Sequence, residues 1–138
     1  MRITGVTSRI VGYDLREAHT NGRIPEELVD PIRPVSFDTL HTDEGIDGWT
    51  MQFGGLSEGR AIGHVLHETY APKLLGKDPR DVEAIWQGLR RTNRHMYNVT
   101  DAIMGAIDVA IWDLRGKAAG LSIGAMLGLA RDRIPTYA

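Results

Sequence analysis

The feature that most constrains this chain is that its strand-forming and helix-forming stretches do not mix. Residues 2–13 set Ile3, Gly5, Thr7, Arg9 and Val11 against Thr4, Val6, Ser8 and Ile10, a β-branched alternation that favours a strand. Residues 34–42 form a second strand, Asp43-Glu-Gly45 is a turn signal, and residues 46–53 form a third that closes a hairpin. From Ser57, the expected cap of the first helix, the period lengthens. Ile62, Val65, Leu66 and Thr69 fall at helical spacing, and Pro72 is expected to kink or end that helix. Asp78-Pro79 is expected to open the next helix, with Pro79 in its first position and Val82, Ile85, Trp86 and Leu89 as its apolar stripe. Thr100-Asp101 starts a third helix. Its buried face is Ile103, Ile107, Ile111 and Leu114, with Ala106, Ala110 and Ala118 permitting close packing. Gly120 stops it, and Ser122 caps a short fourth helix that ends at Gly128. Strands first and helices afterwards exclude a βαβ array. The fold class is α+β, a three-stranded antiparallel meander followed by a bundle of three to four helices.

With 138 residues the chain can bury one sizeable core. A net charge of -2 argues against a nucleic-acid partner, which calls for a basic face. The densest basic cluster, Arg90, Arg91 and Arg94, falls at a helix C-terminus, where cations complement the dipole. Cysteine is absent, which removes disulfides, thiolate metal sites and a cysteine nucleophile. The first residues lack the apolar core of a signal peptide, and no run approaches the roughly 20 apolar residues of a membrane span. The expectation is therefore a cytoplasmic protein without a membrane partner, in which the sequon Asn98-Val-Thr100 has no consequence.

Two segments carry a resemblance. They are Ala71-Pro-Lys-Leu-Leu-Gly-Lys-Asp-Pro-Arg-Asp-Val-Glu-Ala-Ile-Trp86 and Ala106-Ile-Asp-Val-Ala-Ile-Trp-Asp-Leu-Arg-Gly-Lys117, followed by Met126-Leu-Gly128. With the order meander, polar loop and helices, they resemble the N-terminal capping domain of mandelate racemase and muconate lactonizing enzyme relatives in the enolase superfamily. The sequence departs from that pattern at Ser122, where a Pro is common, and at Trp49-Thr-Met-Gln-Phe53, where Gly-Trp-Gly-Glu is usual. The final Ile134-Pro-Thr-Tyr-Ala138 resembles the segment that opens the family's catalytic barrel. The resemblance thus implies a capping domain over residues 1–133, with 134–138 starting the first strand of a barrel that this chain lacks.

Family members abstract a proton next to a carboxylate and stabilise the enediolate with Mg2+ held by acidic residues on barrel strands. Developing negative charge of that kind calls for a nearby cation. The resemblance therefore implies magnesium in the full-length protein, no cofactor or metal ligand in this chain, and no catalytic residue within it. It implies instead a lid over a small carboxylate substrate, contributed by residues 14–32 and 52–57. The candidate substrate-binding residues are Arg16, His19, Asn21, Arg23 and Phe53. The first four supply donors suited to a carboxylate or hydroxyls, which leans toward a sugar acid and a dehydratase. The alternatives are a racemase or cycloisomerase of the same family, or a stand-alone binding or oligomerisation module. A homo-oligomer is the expected assembly.

Other constellations carry blander readings. His64 and His67 lie about one helical turn apart, but their order is not that of a zinc protease, and a His64–Glu68 contact on an exposed face is expected. Asp113 and Lys117 are spaced for a structural ion pair, and Asp108 for bonding at a junction of elements. Gly45, Gly48, Gly54 and Gly55 do not make a nucleotide fingerprint. Trp49, Trp86 and Trp112 are expected in the core or at an interface.

Overall fold

The computed structural model describes residues 1–14, 32–53, 58–94 and 101–136. Three strands, β1 (Ile3–Asp14), β2 (Ile32–Thr42) and β3 (Gly48–Phe53), form an antiparallel sheet in the order β1-β2-β3. The helices follow as α1 (Glu58–Val65), a π-helical turn (Leu66–Tyr70), α2 (Ala71–Leu74), α3 (Val82–Asn93), α4 (Asp101–Ala119) and α5 (Ile123–Leu127). The α+β meander-then-helices architecture is the one the sequence implies.

Among the described residues one core lies between one face of the sheet and the helices. Ile3, Leu40, Leu66, Tyr70, Leu74, Met104, Ile107, Ile111 and Leu114 are buried in it. The alternation along β1 does not run unbroken. Ile3 pairs with Thr42, but the register shifts before Gly5 pairs with His41. This bulge changes the parity, so Ile3 faces inward together with Val6 and Ser8 rather than with Gly5 and Thr7.

α4 crosses β3 at Gly48. A Cβ there would lie 2.2 Å from the Ala110 carbonyl oxygen and 2.5 Å from Leu114 Cγ, so the crossing requires a glycine. The expected Asp113–Lys117 ion pair is present at 2.6 Å and does more than decorate the helix. Asp113 Oδ2 accepts the Trp49 backbone N–H at 3.0 Å, and Lys117 Nζ donates to the Asp47 carbonyl at 2.7 Å. The outer edge of β3 is thereby tied to α4.

Several sequence expectations are corrected. Pro72 does not itself stop the helix, which runs on to Leu74. Lacking an N–H, it cannot bond the carbonyl four residues back, and the wider π turn just before it absorbs the misfit; Ala71 N–H accordingly bonds Leu66 O. Pro79 is not the first residue of a helix. Asp78 to Asp81 make a turn closed by Asp81 N–H to Asp78 O at 3.0 Å, and α3 begins at Val82. Asp78 instead receives the Arg80 backbone N–H at 2.9 Å and its guanidinium, which holds the carboxyl well below the usual carboxylate range. Ala118 is exposed; the close approach near that end of α4 is made by Gly116, whose Cβ would meet Leu121 O at 2.7 Å. Trp49 is 52 % exposed on the outer face of the sheet, with its ring centroid 6.5 Å from that of Phe37.

The stops are as expected. Gly120 takes a positive φ of 66°, and Leu121 N–H and Gly120 N–H bond back to Gly116 O and Lys117 O. Ser122 Oγ accepts Ala125 N–H at 3.1 Å.

Candidate functional site

The strand registers bring two connections to one end of the sheet. Asp14 pairs with Ile32, and Val35 pairs with both Val11 and Phe53. The β1–β2 connection and the β3–α1 connection therefore leave from the same end. Arg16, His19, Asn21 and Arg23 lie outside the described residues, as do Gly54 to Ser57. Phe53 is the last residue of β3, and its backbone is fixed opposite Val35.

Toward that end the inner face of the sheet changes character. Ser36, Asp38, Thr50 and Gln52 are all buried. Asp38 is 3 % exposed, and its carboxylate organises the group. Oδ1 accepts Ser8 Oγ–H at 2.6 Å and Ser36 Oγ–H at 2.7 Å, while Oδ2 accepts Gln52 Nε2–H at 2.5 Å. Because Ser8 donates to Asp38, its oxygen is free to accept, and His67 Nε2 lies 2.9 Å away. The π turn is what presents His67 to the sheet. A buried carboxylate demands such donors, since burying it unsatisfied costs several kcal/mol.

Sequence reasoning missed this network. The signal was available, because Ser36, Asp38, Thr50 and Gln52 occupy the inward parity of the hairpin, where apolar residues are the rule. His64 and His67, about one helical turn apart, do not act as a pair. The structure separates them: His64 and Glu68 are exposed, and His67 is the half-buried partner of Ser8.

Two further titratable groups are shifted by their surroundings. Burial raises the Tyr70 hydroxyl, and Asp101 adds to the effect. Burial also raises Asp108 on α4, with the Trp112 side chain pulling the other way as a hydrogen-bond partner. Trp112 in turn carries the Arg115 guanidinium 4.4 Å from its ring centroid. Among the described residues no three histidine or acidic side chains gather in a way that could hold a metal ion. Among the same residues no helix is long and apolar enough to cross a membrane.

Residues 33–128 match the family described as the mandelate racemase / muconate lactonizing enzyme N-terminal domain. The chain belongs to that family. A D-galactonate dehydratase family member of Streptomyces bingchenggensis is 40% identical over 102 residues, covering 71% of this chain and 24% of that protein. The D-galactonate dehydratase of Variovorax paradoxus is 38% identical over 107 residues, covering 73% of this chain and 26% of its own length. Among solved structures, an enolase-superfamily member from a Polaromonas species superposes with a TM-score of 0.78 at 30% identity, covering 100% of this chain and 36% of that one. L-talarate dehydratase from the same genus, complexed with Mg and L-glucarate, superposes with a TM-score of 0.70 at 28% identity, covering 95% and 36%. The chain thus spans about a quarter of the length of the curated relatives it matches.

Proposed function

We propose that this chain is the capping domain of a magnesium-dependent sugar-acid dehydratase. Residues 1–133 form the cap, and residues 134–138 lead into a barrel domain. The observation that carries the reading is the shared sheet end. The connection that carries Arg16, His19, Asn21 and Arg23 and the one that follows Phe53 attach at the same end of the sheet, where the Asp38 network lies. The dehydratases among its relatives support the choice of reaction and of a sugar acid as substrate.

Dehydration of an aldonate begins with removal of the proton beside its carboxylate. That proton is acidic enough to leave only when a cation meets the charge that develops, which is the part a bound Mg2+ plays in the barrel. The residues of this chain do a different job. Arg16 and Arg23 bind the distal hydroxyls or a second carboxylate, His19 and Asn21 add hydrogen bonds, and Phe53 excludes water. These contacts are equally strong before and during the reaction, so they set substrate affinity and selection rather than the chemical step. The working enzyme is a homo-oligomer.

The test uses the protein as its cell produces it. Its intact mass is expected to be well above 15.3 kDa, and with Mg2+ it is expected to dehydrate D-galactonate or a related sugar acid. The double substitution Arg16→Ala with Arg23→Ala is expected to raise KM about tenfold or more and leave kcat nearly unchanged. A native mass of 15.3 kDa, or no turnover of any sugar acid, overturns the proposal in favour of a binding or assembly module.

A further inference from the structure

We propose that the junction of α3 and α4 is a binding site for a small, multiply charged oxyanion, separate from the lid. A cavity of about 560 Å³ opens there, lined by Gln87, Arg90, Arg91, Asn93, Arg94 and Asp101. Arg90 and Arg91 occupy the last turn of α3 and Arg94 caps it, so the three arginines leave the backbone within about one turn of helix. Among the described residues none of them meets a carboxylate within ion-pair distance. Among the described lining residues the acidic one is Asp101, so the described lining carries an excess of two positive charges.

The helix dipole accounts for cations at the end of α3, but not for three of them around one cavity, where they repel one another. Asn93, which lines the cavity, is also held in place. The buried Tyr70 hydroxyl donates to Asn93 Oδ1 at 3.3 Å, and Asn93 Nδ2 donates to Asp101 Oδ1 at 2.6 Å. Both ends of the Asn93 amide are engaged, and one Asp101 oxygen is taken up by that bond. Guanidinium forks match the paired oxygens of phosphate and carboxylate groups, and two or more such groups on one ligand would balance the excess charge. The ligand class is therefore a compact phosphate- or carboxylate-bearing polyanion.

The experiment is an NMR titration of the arginine-labelled protein at its natural length, at constant ionic strength, with inorganic pyrophosphate in one arm and citrate in the other. The arginine side-chain N–H signals are followed. Saturable shifts at Arg90, Arg91 and Arg94, with a dissociation constant of about 1 mM or tighter, are expected in at least one arm. The arm that responds identifies phosphate or carboxylate as the recognised group. Arg90→Gln with Arg94→Gln should weaken binding about tenfold or more. Arg90→Lys with Arg94→Lys, which keeps the charge and loses the fork, should fall between that variant and the wild type. Arg131→Gln, on the exposed tail, should change nothing. All three substituted positions are exposed, so folding is expected to survive and can be checked by circular dichroism. No saturable shift in either arm, or a double glutamine variant that binds like the wild type, overturns the proposal.

Discussion

The inner face of the sheet is two surfaces in one. Near the β2–β3 turn it is apolar: Ile3, Val6, Leu40 and Gly48 meet the buried stripe of α4 and the Leu66–Leu74 stretch. Near the lid end it is polar, with Ser8, Ser36, Asp38 and Gln52 joined to one another and to His67. The two halves rest on the same strands, yet they do different work. Apolar burial is worth about 25 cal/mol per Å² and tolerates small shifts in geometry. A hydrogen-bonded cluster contributes little net stability but admits few arrangements, because any slip leaves a buried polar group unpaired. One half makes the domain stable. The other sets the strand ends from which the two connections leave.

The sharpest break of that contrast comes from the apolar half. Gly48→Val would put a branched side chain where even a Cβ lies 2.2 Å from a backbone carbonyl, and backbone cannot give way as a flexible side chain can. It is expected to cost about 3 kcal/mol or more, enough to leave most of the chain unfolded. Leu114→Ala, at a fully buried position, should cost roughly 2–5 kcal/mol through lost burial and the cavity left behind. Urea unfolding followed by circular dichroism reads both. A loss below about 1 kcal/mol for Leu114→Ala would mean that the core lies elsewhere.

Substitution in the polar half should act differently. Asp38→Ala strands two hydroxyl donors and one amide donor, with an expected loss of about 3 kcal/mol. Asp38→Leu, which replaces the carboxylate by an apolar group of similar size, leaves the same donors without an acceptor and should not rescue the loss. Removing all the polar partners together, as Ser8→Ala, Ser36→Ala, Asp38→Leu and Gln52→Leu, should recover most of it. If the fourfold variant is instead as unstable as Asp38→Ala, the network is itself a source of stability and the contrast between the halves fails.

These two halves also divide what was legible in the sequence. The apolar half was plain, because Ile103, Ile107, Ile111 and Leu114 repeat at the helical period and only one face of α4 could bury them. So were the caps at Gly120 and Ser122, where a single residue type meets a single local demand. The polar half was not, because its members are scattered from Ser8 to His67 and only the strand register brings them together. The bulge after Ile3 hid half of that register by reversing the parity of β1. Pro72 and Pro79 were misplaced for a related reason. A proline forbids one hydrogen bond, but whether the chain answers with a stop, a π turn or a separate turn depends on packing against Ile3, whose carbonyl takes Gly76 N–H at 2.8 Å. The lid residues rest on resemblance and on the place where their connections attach.

The smallest effect concerns a second carboxylate, which sharpens the contrast by lacking what Asp38 has. Asp108 is half-buried on α4, and burial raises its pKa above the ordinary value of 3.8. The unfolded chain keeps that ordinary value. Between the two pKa values the folded state therefore holds a proton that the unfolded state has released. Stability falls as pH rises through this window and stays lower above it. Asp108→Asn has no proton to lose and still accepts from Trp112. It should be more stable than the wild type at pH 7, by less than about 1 kcal/mol because the site is partly solvated, and no more stable at pH 3. Urea midpoints for the two proteins at both pH values make the comparison. An equal difference at pH 3 and pH 7 would show that the carboxylate charge carries no cost at this position. Asp108 would then be as well provided with partners as Asp38.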